Sequence, residues 1–252
     1  MRYLGGKHRI SEFIVTNIDK IRTTEDTYLE PFVGSAAILS KMANKFDKVI
    51  ASDIHEDLIL MYKELQKGWV PPKWVSREEY NKLKHLQPSA LRGIVGFGSS
   101  FGGKWFGGYT DTVFDKHHNR DTKPYMNAAV NSLLKIVSDI QSVEFIHCDY
   151  THHKPKSNWL VYCDPPYNGT TSYNSYFNSD KFWENMNIWV DSGATIIISE
   201  QIAPSDWTIV AEKSRRHMLK VERGTQQANR LERIYTKIKR TPHAKSKTSK
   251  RQ

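Results

Sequence analysis

In the stretch NWLVYCDPPYNGTTSYNSYF, the apolar run Trp159 to Cys163 passes directly into Asp164, Pro165, Pro166 and Tyr167. Asp164 supplies a hydrogen-bond acceptor at the end of a strand. The two prolines have no N–H and a fixed φ, so carbonyls there stay free and rigidly aimed. An exocyclic amine on a nucleobase is a poor nucleophile because its lone pair is delocalised into the ring. Two acceptors on its hydrogens would draw it toward tetrahedral geometry and support the charge that develops there. The ring of Tyr167 would hold such a base by stacking, which demands a base outside the duplex. The plainer alternative is an Asp-Pro turn that closes a strand.

A second cluster lies near the N-terminus, in LEPFVGSAA, Leu29 to Ala37. A glycine turn between strand and helix lets a ligand approach the backbone, where the following helix offers N–H donors. Asp53 ends the next strand-like run, where a carboxylate can accept hydrogen bonds from both hydroxyls of a ribose or instead cap the following helix. Together the two features favour an adenosine-containing cofactor.

These residues need a scaffold that brings strand ends together. Ile10, Phe13, Ile14, Ile18 and Ile21 recur at helical spacing, with Ser11 as a candidate cap. TYLEPFVGSAAILSKMAN and KVIASDIHEDLILMYKEL each follow the order strand, turn, helix, which predicts a parallel sheet with crossover helices. Strand-like sequence resumes in VEFIHCDY, NWLVYCDPP and ATIIISE, then in WTIVAE, HMLKVE and RIYTKIK. Between them, Phe182, Met186, Trp189 and Val190 share a helix face that Ser179 could cap. Residues 61–138 differ in character. They hold a Pro-Pro break, a polar helix, the glycine-aromatic stretch GIVGFGSSFGGKWFGGYTD and an amphipathic helix. They are expected to be a mainly helical insertion between the catalytic segments 1–60 and 139–240.

The chain has 252 residues and a formal net charge of +10, which favours a polyanionic partner through neutralised phosphates and released counterions. Cys148 and Cys163 sit in apolar contexts without zinc-ligand spacing, as expected of free thiols in a reducing compartment. No apolar run approaches the roughly 18 residues that span a bilayer, and MRYLGGKHRI lacks an apolar signal core, so a cytoplasmic protein without membrane association is expected. His117–His118 has no further metal ligands clustered nearby, and no metal is expected. The polar tail 241–252, with Lys245, Lys247, Lys250 and Arg251, is expected to be disordered, either contacting nucleic acid or simply solvated.

In combination these motifs resemble the Dam-type DNA adenine-N6 methyltransferases, the D12 class with alpha motif order. RYLGGK, LEPFVGSAA and CDPPY occur in that family's order, IHCDY is similar to its short strand ending in Asp and an aromatic, and NRLERIY to its late strand. The resemblance implies a Rossmann-like α/β sheet that binds S-adenosylmethionine, with residues 61–138 as an inserted target-recognition domain. It further implies methyl transfer to N6 of a flipped adenine in double-stranded DNA, at a specific site or with relaxed specificity. Tyr3, Gly6 and Lys7 would line the cofactor pocket. Glu30, Pro31, Phe32, Gly34 and Ser35 would form its loop, Asp53 would hold the ribose, and Asp149 with Tyr150 would meet the cofactor adenine. Asp164, Pro165, Pro166 and Tyr167 would grip the target base, with Asp164 also bordering the cofactor. Lys104, Trp105, Phe106 and Tyr109 would insert into or stack on DNA, or, for the two middle rings, pack near the cofactor mouth. Lys116 and Arg120 would meet phosphates. The stretch SSFGGKWFGGYTD departs from the recognition hairpin of the GATC-specific members, which leaves the recognition site open. An RNA or cytosine-N4 methyltransferase, or a non-catalytic DNA-binding protein of the same fold, are the alternatives.

Overall fold

The computed structural model describes residues 1, 3–110, 112–115, 120–166, 177–215 and 230–237. In chain order the elements are α1 (Ser11–Ile21), β1 (Thr27–Glu30), α2 (Leu39–Met42), β2 (Lys48–Asp53), α3 (Glu56–Gln66), α4 (Arg77–Leu83) and α5 (Ala90–Gly98). A hairpin of β3 (Thr112–Asp115) and β4 (Arg120–Pro124) then leads into α6 (Tyr125–Leu134). The remainder is β5 (Glu144–His147), β6 (Trp159–Cys163), α7 (Ser179–Asp191), β7 (Thr195–Glu200), β8 (Thr208–Arg215) and β9 (Arg230–Thr236).

The β-branched and aromatic runs predicted as strands build a seven-stranded sheet in the order β5-β2-β1-β6-β7-β9-β8. β5, β2, β1, β6 and β7 run parallel, and β9 lies antiparallel between β7 and β8. Connections from β1 lead one way through β2 to β5, whereas β6 leads the other way to β7. The strand order therefore switches direction between β1 and β6, and their carboxyl ends border the crevice where open α/β sheets bind ligands.

Alternation along the strands sorts the core into two layers. Tyr28, Tyr162, Ile197 and Ile234 face one way and pack with Ile14 and Ile18 of α1 and Leu58 and Tyr62 of α3. Leu29, Val161, Cys163, Ile196 and Ile198 face the other way, against Phe182, Met186, Trp189 and Val190 of α7. Residues 61–138 do not build a core of their own among the described residues. The expected boundary at 61 falls inside α3, and Tyr80, Leu83, Val95, Phe97, Met126, Val130 and Leu133 belong to the same buried cluster as Ile14 and Tyr28. α5 packs on α3 as well as on α6, so their apolar faces extend the same buried cluster rather than closing on each other alone.

Two caps differ from the sequence expectation. Asn178, not Ser179, caps α7, its side chain accepting from Lys181 N–H at 2.9 Å. Ser11 follows a 3₁₀ turn, His8–Ile10, and donates its hydroxyl to the His8 carbonyl at 3.1 Å. Ser11 is thus the first residue of α1 rather than its cap, and the cap of α7 lies one residue before Ser179. The strand expected in HMLKVE lies outside the described residues, as does the tail.

Candidate functional site

Period-two geometry lines up the polar groups at the carboxyl edge of the sheet. Glu30 is two residues beyond Tyr28, Asp164 two beyond Tyr162, and Glu232 two before Ile234 on the antiparallel strand. All three therefore project from the face that α1 covers. The chain leading into α1 lays Lys7 across this row. Its ammonium lies 2.8 Å from Asp164 Oδ1 and 2.9 Å from Glu232 Oε1, with the lysine 3% exposed. Burial disfavours the charge, but the Asp164 and Glu232 carboxylates outweigh it and hold the Lys7 pKa above its ordinary value. Glu30 is buried beside them and accepts a hydrogen bond from the Tyr28 hydroxyl at 2.8 Å. Desolvation, reinforced by the Asp164 charge, pushes the Glu30 pKa well above its ordinary carboxylate value.

Beneath the row, the Tyr162 hydroxyl meets Ser199 Oγ at 2.9 Å and ties β6 to β7. At the end of β7, burial followed by the nearby Asp164 charge raises the Glu200 pKa to about 7. Neither Glu200 nor Glu232 was singled out from sequence. The signal for Glu232 is its phase: within NRLERIY it alternates in step with Ile234, which faces the core.

The loop after β1 is fastened from three sides. Gly34 N–H donates to Asp53 Oδ2 at 3.0 Å, Tyr62 donates its hydroxyl to the Gly34 carbonyl at 2.8 Å, and Val33 N–H donates to the Ser52 carbonyl at 3.0 Å. Gly34 has φ +43°, and a Cβ on it would meet the Tyr3 ring at 3.0 Å. A side chain there would be strained twice, by backbone and by space. Asp53 uses its other oxygen to accept from His55 N–H at 3.0 Å, so it joins the Gly34 loop to the start of α3. Burial raises its pKa against the pull of these two donors. Gly6 is drawn close by its N–H bond to the Tyr3 carbonyl at 2.9 Å, and Pro31 and Ser35 are buried in the same loop. Phe32 is half-buried, 5.3 Å from the Tyr150 ring and edge-on to Phe182 at 5.9 Å. Asp149 caps the short turn that carries Tyr150, accepting from Thr151 N–H at 2.9 Å and from its hydroxyl at 2.6 Å. The structure thus gathers Tyr3, Gly6, Lys7, Glu30, Pro31, Phe32, Gly34, Ser35, Asp53, Asp149, Tyr150 and Asp164 at one edge of the sheet. Pro165 is buried and Pro166 half-buried there. Tyr167, and the following Asn168, Tyr173 and Tyr176, lie outside the described residues.

The residues expected at DNA divide. Lys104 is exposed, whereas Phe106 is buried and Trp105 is packed edge-on to His55 at 4.1 Å and against Phe97 at 4.7 Å. Burial among these rings lowers the His55 pKa to about 4. Tyr109 donates its hydroxyl to the Val75 carbonyl at 2.7 Å. The ring that this loop presents to solvent is Phe101, 75% exposed, which sequence reasoning passed over. Leu4 N–H donates to the Gly103 carbonyl at 3.2 Å, tying the loop to the N-terminal motif beside the site. Lys116 and His117–His118 lie outside the described residues. Arg120 begins β4, and nothing further is described of its side chain. Among the described residues no group of three or more His, Cys, Asp or Glu is placed to hold a metal ion, and no helix is long and apolar enough to cross a membrane.

Comparison with known proteins gives this geometry a context. The family model of the D12 class N6 adenine-specific DNA methyltransferases matches residues 3–89 and 109–241. The chain is 21% identical over 188 residues to the type II methyltransferase M.CviBI of Paramecium bursaria Chlorella virus NC1A, covering 65% of this chain and 67% of that protein. It is 42% identical over 67 residues to the type II methyltransferase M.MjaIII of Methanocaldococcus jannaschii, covering 25% of this chain and 23% of that protein. Among solved structures, an rRNA methylase from Streptococcus thermophilus overlays with a TM-score of 0.39 at 8% identity, covering 90% of this chain and 96% of that one. The rRNA methyltransferase aviRa from Streptomyces viridochromogenes overlays with a TM-score of 0.38 at 12% identity, covering 89% and 83%.

Proposed function

The chain belongs to the D12 class of N6 adenine-specific DNA methyltransferases, and from that premise we propose that it transfers a methyl group from S-adenosylmethionine to N6 of an adenine swung out of double-stranded DNA. The observation that carries this reading is the position of Asp164. It follows the last residue of β6 at the point where the strand order reverses, held at 2.8 Å by a buried lysine and on the same edge as the Gly34 loop.

The residues at that edge fit the cofactor. Gly34 keeps the loop close to its support, Asp53 and Asp149 offer carboxylates at the ends of neighbouring connections, and Ile54, 59% exposed beside Asp53, offers apolar surface for a flat ring. Tyr3, Gly6, Glu30, Pro31, Phe32, Ser35 and Tyr150 complete this lining. When bound, S-adenosylmethionine supplies a methyl group already activated on a sulfonium. What remains for the protein is to orient the acceptor amine and exclude water. Asp164 would accept one N6 hydrogen and the Pro165 carbonyl the other, which would turn the nitrogen lone pair out of the ring plane toward the methyl carbon. The C–N bond would form as the sulfonium–methyl bond breaks to leave a neutral thioether, and Asp164 would support the positive charge on N6 until that proton passes to solvent. Tyr167 is assigned to stack on the extruded base.

The net charge of +10 suits a DNA partner. Lys104 and Phe101 mark the exposed side of the loop next to the site, with Lys116 and Arg120 assigned to phosphates and Tyr109 bracing the loop. Incubating the purified protein with labelled S-adenosylmethionine and plasmid DNA, then digesting to nucleosides, should give N6-methyl-2′-deoxyadenosine. Sequencing that detects N6-methyladenine would give the site. Label on cytosine N4, on RNA alone, or on nothing would sink the proposal.

A further inference from the structure

Glu232 lies deep under the site with a charge that the proposed chemistry does not use. It is 3% exposed, on β9, two strands away from β6 in the sheet, with β7 between them. A lone buried carboxylate in a strand is costly, and one paired with a lysine still contributes little to net stability compared with apolar residues of similar volume. Stability therefore does not explain why an inward-facing position in phase with Ile234 carries Glu rather than Leu. Its geometry offers another explanation. Lys7 Nζ sits 2.9 Å from Glu232 Oε1 and 2.8 Å from Asp164 Oδ1, bridging β9 and β6 over β7. Lysine has three rotatable donors on a flexible stem and does not hold an orientation by itself. A second carboxylate, rooted in a strand, fixes where the ammonium stands.

We infer that Glu232 is a positioning residue for the methyl transfer, acting through Lys7 to fix the carboxylate of Asp164 in the orientation that receives the target amine. This rests on the reading of Asp164 as the acceptor of N6. Asp164 follows the last residue of its strand, where the backbone is less constrained than in the ladder, and an acceptor displaced by about 1 Å loses on the order of a hundredfold in rate. The Lys7 bridge ties it to β9, whose own register is pinned on both sides by β7 and β8. Glu232 thereby controls geometry at a reacting atom that it does not touch.

A double-mutant cycle tests this, with kcat, the DNA KM and the cofactor dissociation constant measured separately using labelled S-adenosylmethionine and plasmid DNA. Glu232→Gln keeps the shape and removes the charge. It should lower kcat at least tenfold while both binding constants stay within threefold, and its kcat effect should vanish in a Lys7→Met background. A folded Glu232→Gln protein with kcat within twofold of wild type would overturn the inference, as would losses that multiply in the double variant. Should Glu232→Gln not fold, the pair Lys7→Met with Glu232→Leu removes both buried charges together. It should fold, bind cofactor and lose kcat as Lys7→Met does; near-wild-type kcat in that pair would also overturn the inference. Absence of adenine methylation by the wild-type protein is a separate outcome, which refutes the reading beneath.

Discussion

The edge of the sheet and the glycine-aromatic loop beside it solve opposite problems. At the edge, charged groups are buried and joined: Lys7, Asp164 and Glu232 meet within 2.9 Å. In the loop, aromatic groups are mostly packed, and one, Phe101, is left 75% exposed. The edge draws its precision from ion pairs whose partners come from distant parts of the chain. The loop draws its shape from close packing, which tolerates little change in volume. On the proposed reading, the acceptor of the target amine is held by directional bonds, whereas the surface proposed to meet DNA is held by shape.

The strongest way to break this contrast is at Asp164. Asp164→Ala should lower kcat by on the order of a hundred to a thousandfold, because an acceptor at the developing charge is lost. Cofactor binding and the melting temperature should change little, since Lys7 retains Glu232 as a partner. A collapse of folding would make Asp164 structural and erase the distinction between the two regions.

The packing side is tested at Gly96. A Cβ there would lie 2.3 Å from Trp105 Cζ3 and 2.8 Å from Phe106 Cε2. Gly96→Ala should therefore destabilise the fold by about 1–3 kcal/mol and lower the melting temperature by several degrees. Calorimetry decides it, and an unchanged melting temperature would show that the loop gives way freely.

A smaller effect should appear with pH at Glu200. Burial and the Asp164 charge raise its pKa from 4.5 to about 7 in the folded protein. The folded state then holds the proton more tightly than the unfolded chain. The stabilisation is complete below pH 4.5 and is lost as pH rises through about 7. Glu200→Gln should flatten the decline of melting temperature across that window; an unaltered profile would place the carboxyl in solvent.

The smallest expected change in the protein itself is at Phe101. Phe101→Ala should leave the melting temperature within about a degree, as an exposed side chain touches little. DNA affinity should weaken severalfold, about 1 kcal/mol, measured by fluorescence anisotropy at fixed salt. Full affinity would remove the loop from the DNA-facing surface.

The local features of this fold were open to a reader of the chain. β-Branched runs marked the strands, and the recurrence of Ile14 and Ile18 or of Phe182, Met186 and Trp189 marked the helix faces. The carboxylate of Asp164 could be placed at a strand end because Pro165 and Pro166 stop the ladder there. The caps were less legible, as Asn178 and Ser179 are both good caps and only the backbone path chooses between them. The separate inserted domain was expected because composition changes near Gly68, yet composition does not say against which surface an apolar helix face will close. In the structure α5 closes on α3 as well as on α6, and both helices share the main buried cluster.

What the sequence determined by itself was the alternation that builds a parallel sheet and the motif residues that meet at its edge, because both depend on neighbours along the chain. Only the tertiary structure decided the fate of Lys7 and Phe101. Lys7 could have been a solvated lysine, and it is buried because Asp164 and Glu232 converge on it from strands separated by β7. Trp105 and Phe106 were expected either at DNA or packed near the cofactor mouth, and they are packed inward because helix α5 presents a glycine, Gly96, where their rings need room. Burial and ion pairing depend on contacts between residues far apart in the chain, and those exist only once the sheet has assembled.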